Sequence, residues 1–408
     1  MKNIRAIIRK SSSVALASAM VLSSSGFMTY AATSDVQNTI SAIEQSYGID
    51  SAKYAQDISA NVYEGTDEPQ ADTVSSGKWG TCDWNINDGV LTISGGVASG
   101  SVKDDSGNWV LPWSSYLGEY GLGKVVIEDT ITFENNASLA HLFDGWQILQ
   151  EIDGLDKFDT SNVTDMSGMF DGCSALITID VSNFDTSNVT SMSTMFNDCK
   201  SLTTIDVSNF DTGNVKGMWH MFSGCKSLTT IDVSNFDTSN VINMSSMFSG
   251  CESLTTIDVS NFDTSKVRYM SSMFSGCKSL ITMDVSNFDT SKVIHMGGMF
   301  YGCSALTTID LSKLDLTYTD ICSGHICSGH WTIMANYLSG ESGSLKKIIM
   351  PSALGKEENI KTILNDMYTI ASSWTDKTAN KVYAEKPDTL IAGHTYVVTG
   401  SEYDKTEL

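Results

Sequence analysis

A 26-residue repeat constrains the fold of this chain more than any other feature of the sequence. A typical copy reads LTTIDVSNFDTSNVINMSSMFSGC, from Leu228 to Cys251. A phenylalanine recurs every 26 residues in six successive copies: Phe158, Phe184, Phe210, Phe236, Phe262 and Phe288. A cysteine closes each copy at the same interval: Cys173, Cys199, Cys225, Cys251, Cys277 and Cys303. A fixed period of this length is typical of a solenoid, in which each repeat is one supersecondary unit.

The spacing of apolar residues changes halfway through each copy. In the first half, Leu202, Ile205 and Val207 are separated by polar residues, as on a half-buried β-strand. In the second half the apolar residues lie at i, i+3, i+6, i+7 and i+10, which is the spacing of one helical face. In one copy these residues are Val215, Met218, Met221, Phe222 and Cys225. We therefore expect a short strand followed by a short helix.

A corner separates the two halves of each copy. Phe236 is followed by Asp, Thr, Ser and Asn, whose short side chains bond to nearby backbone groups and favour a turn and a helix N-cap. A glycine falls where the helix would end in four copies: Gly224, Gly250, Gly276 and Gly302. The predicted fold class is an α/β solenoid with short parallel strands on a concave face, short helices and small β-containing caps.

These repeats resemble the 26-residue repeat of the BspA-like leucine-rich-repeat surface proteins of bacteria. The resemblance covers residues 139–316, and residues 79–96 resemble the segment that commonly precedes such arrays. It implies an exported, surface-associated or secreted protein that binds extracellular or cell-surface proteins, often in adhesion or host contact. It implies no catalytic residues.

The N-terminus has the features of a secretory signal peptide. Four basic residues precede an apolar stretch, and the small residues Ala31 and Ala32 follow it. Residues 1–32 are therefore predicted to be removed on export, with an uncleaved membrane anchor as the alternative. No later stretch is long and apolar enough to cross a bilayer, so we expect no transmembrane segment in the mature chain.

Three further segments surround the solenoid predicted at residues 139–316. Residues 33–77 are polar and acidic, and they are predicted to be partly helical and to end in a linker. Residues 78–138 are predicted to form a β-rich cap, because alternating apolar residues flank Asp88 and Gly89 as in a hairpin. Residues 317–408 are predicted to form a C-terminal cap. Its expected elements are strands near residues 345–349, 382–383 and 396–398 and a helix near residues 360–367.

The chain is strongly acidic. It has 25 Lys and Arg residues against 48 Asp and Glu residues, a formal net charge of −23. Residues 1–32 contain four basic and no acidic residues, so 21 minus 48 gives −27 for the mature chain. This charge argues against nucleic-acid binding, which requires clusters of basic residues. It favours basic partners or cations, although the acidity could also serve solubility alone.

Two groups of residues are candidate binding sites. Asp206, Asp232, Asp258 and Asp284 recur on the predicted strands with the same Thr and Ser neighbours, so they could offer one weak acidic contact many times. Calcium between these carboxylates is a second interpretation, and screening by solvent is a third. The predicted helices vary between copies instead, and Trp219, Arg268 and Tyr269 are the alternative contact residues.

Two groups of cysteines, those of the ICSGH duplication and those of the repeats, each permit two interpretations. Cys322, His325, Cys327 and His330 are a zinc-type ligand set, but a tandem duplication of ICSGH explains them without a metal, and we predict no cofactor. The six repeat cysteines are predicted to be buried free thiols, with paired disulfides as the alternative in an exported protein.

No enzyme signature occurs in the sequence, since HExxH, GxSxG and a phosphate-binding glycine loop are all absent. We therefore predict a protein-binding function rather than an enzyme. A structural component of the cell envelope without a dedicated ligand is the second hypothesis, and an enzyme with an unrecognised site is the third.

Overall fold

The computed structural model describes residues 75–117, 121–314, 345–350, 364, 367–368, 371–399, 401 and 404–405. All of them belong to the unit Val74–Leu408. The predicted signal peptide, the predicted N-terminal helical segment and the ICSGH duplication lie outside the described residues.

Twelve strands precede the second copy of the repeat. They are β1 (Ser75–Trp79), β2 (Cys82–Asn87), β3 (Val90–Ile93), β4 (Gly96–Ala98), β5 (Val102–Lys103), β6 (Trp109–Val110), β7 (Lys124–Ile127), β8 (Ile131–Phe133), β9 (Ala137–Ser138), β10 (Glu151–Asp153), β11 (Phe158–Asp159) and β12 (Val163–Asp165). Short 3-10 helices occupy Ser114–Tyr116 and Leu155–Lys157.

The N-terminal sheet has the strand order β1-β2-β3-β7-β10. Strands β1, β2 and β3 are antiparallel, whereas β7 and β10 join in parallel. Asp88 (φ 48°) and Gly89 (φ 74°) both have positive φ at the turn between β2 and β3, as a type I′ hairpin requires. The predicted hairpin is therefore confirmed. The sheet already changes from antiparallel to parallel pairing before the repeats begin.

Aromatic rings connect this sheet to the first copy of the repeat. Trp79 packs edge-on against Trp113 with ring centroids 5.2 Å apart, and it lies 6.4 Å from Phe158. The indole Nε1 of Trp79 donates to the carbonyl of Gly100 at 2.9 Å. Tryptophan with its N–H satisfied suits a buried position, so these rings close the N-terminal end of the repeat core.

The apolar positions of the repeat are buried as the spacing predicted. Met218, Phe222 and Cys225 are fully buried, and so are their equivalents in the other copies. The second-half phenylalanines form a continuous stack with centroids 5.5–5.8 Å apart between successive rings. The rings of this stack are Phe143, Phe170, Phe196, Phe222, Phe248, Phe274 and Phe300. Each copy thus covers the core of the next one.

The predicted helices of the second half are wrong, because residues 139–314 contain no α-helix. The amide of Met221 donates to Met218 O at 3.3 Å, and that of Cys225 to Phe222 O at 3.3 Å. The third residues of these two turns, His220 (φ 56°) and Gly224 (φ 73°), have the positive φ of type II turns. Tight turns return a side chain to the core every three or four residues, which imitates helical spacing.

The same segment pairs with the following copy. The amides of alternate residues donate to carbonyl oxygens 25 positions later. The four bonds are Met218 N to Asn243 O (3.0 Å), His220 N to Ser245 O (2.9 Å), Phe222 N to Met247 O (2.9 Å) and Gly224 N to Ser249 O (2.7 Å). Equivalent hydrogen bonds join the other copies, and parallel bridges such as Gly217 with Asn243 lie beside them. The inter-copy ladder is therefore in the half that was predicted to be helical.

The first half forms strands only toward the ends of the array. These are β10, β13 (Thr282–Asp284) and β14 (Thr308–Asp310), whereas residues 204–206 and 230–232 are not in strands. The predicted strand at Leu202, Ile205 and Val207 is thus wrong. Side chains satisfy the backbone instead, since Asn235 Nδ2 donates to Val207 O at 3.1 Å and to Phe210 O at 2.9 Å.

A six-stranded sheet follows the array. It contains β15 (Lys347–Ile349), β16 (Trp374–Asp376), β17 (Lys381–Tyr383) and β18 (Thr395–Val398) in the order β13-β14-β15-β18-β16-β17. Pairing is parallel from β13 to β15 and antiparallel beyond. The strands predicted in the C-terminal cap are confirmed. Leu364, Met367 and Tyr368 are helical, and the other residues of the predicted helix lie outside the described part.

Candidate binding surfaces

One surface of the array presents a row of carboxylates, which we call the acidic column. It consists of Asp180, Asp206, Asp232, Asp258, Asp284 and Asp310. The first five are exposed and Asp310 is half-buried. The structure thus brings together Asp206, Asp232, Asp258 and Asp284, the four aspartates singled out in the sequence. They occupy equivalent positions in adjacent copies.

Each carboxylate of the acidic column is held by its own backbone. The amide of Ser208 donates to Asp206 Oδ1 at 2.9 Å, and the same bond recurs in every copy of the column. This is an Asx turn. The corner aspartates make the same bond, for example from Ser239 N to Asp237 Oδ1 at 2.9 Å, so their predicted turn role is confirmed. The sequence did not assign that role to the acidic column.

Hydrogen bonding keeps these carboxylates ionised. The hydroxyl and the amide of Ser208 hold the pKa of Asp206 below its usual value, while the charges of Asp180 and Asp232 act in the opposite direction. The pKa values of Asp232 and Asp258 are lowered by the equivalent serines. The column therefore carries closely spaced negative charge at neutral pH.

A shallow groove runs between two copies at the start of the acidic column. Its lining residues are Thr178, Ile179, Asp180, Thr204, Ile205 and Asp206. The groove combines an apolar floor with hydroxyl and carboxylate groups at its rim. The same residue types recur in the next copy as Thr230, Ile231 and Asp232, so the surface is repetitive rather than a unique pocket.

A second surface lies on the inter-copy ladder, and we call it the variable patch. It consists of Lys216, Trp219, Ile242, Arg268, Tyr269 and His295. Backbone hydrogen bonds of 2.9 Å run from Ile242 N to Lys216 O and from Arg268 N to Ile242 O, so these three residues are neighbours in successive copies. The patch therefore alternates basic and aliphatic side chains.

The aromatic and aliphatic residues of the variable patch are partly exposed. Trp219 is 43% exposed and Ile242 is 40% exposed. The ring of Tyr269 stacks on His295 with centroids 5.5 Å apart and planes at 15°. The structure thus places Arg268 and Tyr269 together and Trp219 two copies earlier. Ile242 was missed in the sequence, although its position 26 residues before Arg268 was a usable signal.

No metal centre emerges from the part of the chain that the structure describes. The four Cys and His residues of the ICSGH duplication lie outside it. Among the described residues, no group of three or more His, Cys, Asp or Glu side chains could hold a metal ion. Likewise, no helix among them is long and apolar enough to cross a membrane.

The repeat cysteines are buried and bonded to the backbone. Cys225 Sγ donates to Phe196 O at 3.1 Å, and Cys251 Sγ donates to Phe222 O at 3.2 Å. Burial raises the pKa of Cys251 to about 12, which suppresses the reactive thiolate. The arrangement suits small core residues, while the free-thiol state stays a prediction.

The repeats match a known family of bacterial repeats. Residues 137–256 and 221–323 match the model described as "Mycoplasma protein of unknown function, DUF285". The matched residues, 137–323, coincide with the array in which the sequence resembles the BspA-like leucine-rich-repeat proteins. None of the curated proteins matches the chain.

Several solved structures are also similar. The leucine-rich-repeat protein of T. pallidum is 20% identical, with 52% of this chain and 91% of that chain covered and a TM-score of 0.29. A leucine-rich-repeat protein from Eubacterium ventriosum is 17% identical, with coverages of 68% and 86% and a TM-score of 0.24. A leucine-rich cell surface protein from Faecalibacterium prausnitzii is 16% identical, with coverages of 59% and 89% and a TM-score of 0.18.

Proposed function

We propose that this protein is an exported, surface-associated or secreted binding protein that acts in adhesion or host contact. In this proposal the copies stack as a solenoid, and the acidic column contacts basic regions of other proteins. Export rests on the basic and apolar residues of the predicted signal peptide. The observation that carries the binding function is the row of exposed carboxylates, each held in the same Asx turn.

The spacing of the column explains how weak contacts could suffice. Neighbouring copies are separated by about 4.8 Å, the spacing of parallel strands. A single exposed ion pair contributes about 0–1 kcal/mol. Several pairs made by one partner act together, because the first contact raises the effective concentration for the next. The formal charge of −23 would also steer basic partners toward the protein.

The test removes the charge of the column while keeping its turns. Asp206, Asp232, Asp258 and Asp284 are changed together to Asn, which forms the same Asx turn. The control changes the corner residues Asp211, Asp237, Asp263 and Asp289 to Asn, so both variants lose four charges. Binding of a deca-lysine peptide and of solubilised cell-surface proteins is measured between 0.1 and 1 M salt, where the screening length falls from about 10 to 3 Å.

We expect the column variant to bind the peptide at least about tenfold more weakly than the control, a difference of about 1.4 kcal/mol. It should also lose the salt dependence and the captured surface proteins. Equal binding by both variants, with the fold intact, would remove the acidic column from consideration. Capture of cell-wall material alone by the unchanged protein would favour the structural envelope hypothesis.

A further inference from the structure

The variable patch has a charge opposite to that of the acidic column. Lys216 and Arg268 are exposed, and neither forms an ion pair with another residue of the described part. Acidic residues outnumber basic ones by 48 to 25 in the chain, so a basic patch is an exception to its overall charge. Two unpaired cations in so acidic a protein are available to an outside anion.

Apolar groups lie directly between and beside these cations. Ile242 separates Lys216 from Arg268 in the row of neighbouring copies, and it is exposed. The exposed Trp219 lies in the same copy as Lys216, and Tyr269 follows Arg268. Aromatic side chains and Arg are enriched in protein interfaces, and they carry much of the binding energy there.

We infer that the variable patch binds an acidic segment of a partner protein. Its carboxylates would pair with Lys216 and Arg268, and an apolar side chain would cover Ile242 and Trp219. The two cations are two copies apart, about 10 Å at about 4.8 Å per copy. About three residues of extended polypeptide span that distance. An apolar side chain on the partner would cover the exposed Ile242 and Trp219, which carboxylates alone would leave in contact with water.

The experiment uses a labelled full chain and an array of decapeptides. Each peptide carries two Asp or Glu residues three positions apart and one Leu, Phe or Trp between them. Lys216→Gln with Arg268→Gln is compared with Lys200→Gln with Lys313→Gln, a pair of exposed lysines outside the patch, so both variants lose two positive charges. A third variant, Trp219→Ser with Ile242→Ser, removes the apolar part.

We expect the unchanged chain to bind a subset of the acidic peptides. The Lys216 and Arg268 variant should bind them at least about tenfold more weakly, and the Lys200 and Lys313 variant should lose less than about twofold. The Trp219 and Ile242 variant should also lose about tenfold, with a loss that persists at high salt because it does not depend on charge.

Three outcomes would overturn the inference. The first is that the unchanged chain binds no peptide. The second is that the Lys216 and Arg268 variant and the Lys200 and Lys313 variant lose peptide affinity equally. The third is that alginate, a carboxylated polysaccharide, binds more strongly than any peptide. Self-association of the unchanged chain that disappears in the Lys216 and Arg268 variant would assign the patch to a second copy instead. The variant in which Asp206, Asp232, Asp258 and Asp284 are changed to Asn should still bind the acidic peptides. The proposed function could therefore fail while this inference holds.

Discussion

At the residue scale, Asp171 is a half-buried carboxylate whose environment opposes its ionisation. Burial raises the pKa of Asp171 to about 6, and the hydrogen bond from Asn197 Nδ2 at 2.8 Å lowers it only in part. The charges of Asp144 and Asp198 raise it further, while that of His141 lowers it. Since the folded-state pKa exceeds the ordinary value of 3.8, ionisation destabilises the folded protein at neutral pH.

We predict that Asp171→Asn stabilises the protein at pH 7–8. The gain in thermal midpoint should be roughly 2 °C, and it should shrink as the pH falls through about 6 toward 4, where the aspartate becomes neutral. Thermal unfolding across this pH range is the measurement. Asp105→Asn, in an exposed turn, serves as the control and should show no such trend. A stability difference that does not change with pH would contradict the assigned cause.

At the element scale, the sequence predicted which residues are buried but not the backbone that buries them. Met218, Met221 and Phe222 fit a helical face and a pair of type II turns equally well, because both return to the core after three or four residues. The discriminating signal was the pair of positive-φ positions four residues apart. It is visible as Gly168 and Gly172 in the first copy and as Gly298 and Gly302 in the last, although His220 and other residues conceal it in between.

Aspartate and asparagine side chains bond to the backbone in the first half of each copy, including at Asp284 in β13 and Asp310 in β14, so these bonds alone do not prevent a strand. In a copy without the strand, Asp206 Oδ1 accepts the amide of Ser208 in the same way. Asn235 Nδ2 lies within hydrogen-bond distance of three carbonyls of the preceding copy in the same region. The acidic column could be predicted as a row of exposed charges, and its Asx turn is a local contact two residues long. The contacts of Asn235 join residues 25 to 28 positions apart, so they depend on how the copies stack and could not be predicted from one copy.

The turn interpretation predicts that Thr194→Gly stabilises the array. Thr194 is a β-branched residue at φ 56°, where Gly168 stands in the preceding copy. A left-handed conformation costs a non-glycine residue about 1–2 kcal/mol, so the net gain after the added chain entropy should be about 0.5–1 kcal/mol. Denaturant unfolding measures it. Thr204→Gly, at an exposed position without positive φ, should destabilise instead, and a loss of stability in both variants would argue against the turn.

At the scale of the whole described unit, the copies depend on each other rather than on internal regular structure. The phenylalanine stack runs through successive copies, and each copy donates a row of amides to the next. The strand pairs at both ends continue this contact into sheets, from β7 to β10 and from β14 to β15. Stability should therefore be shared between neighbours, as in other stacked repeats.

Replacement of Phe222 by Ala tests this coupling. Its ring lies 5.6 Å from that of Phe196 and 5.7 Å from that of Phe248, so the cavity should cost about 3–5 kcal/mol. Limited proteolysis should then find new cleavage sites in the copies on both sides. Tyr301→Ala removes an exposed ring and should leave the cleavage pattern unchanged. Cleavage confined to the altered copy would mean that the copies are independent.

Every junction between neighbouring copies is joined by the same set of hydrogen bonds, and this has a consequence for how the length of the array can change. The backbone amides near Met218 donate to carbonyl oxygens 25 positions later, and the same offset recurs between the other neighbouring copies. Loss of one whole period, such as residues 229–254, would bring equivalent residues together across the cut. The array can therefore lengthen or shorten in steps of 26 residues while its two ends, and the pairing of every remaining junction, stay as they are.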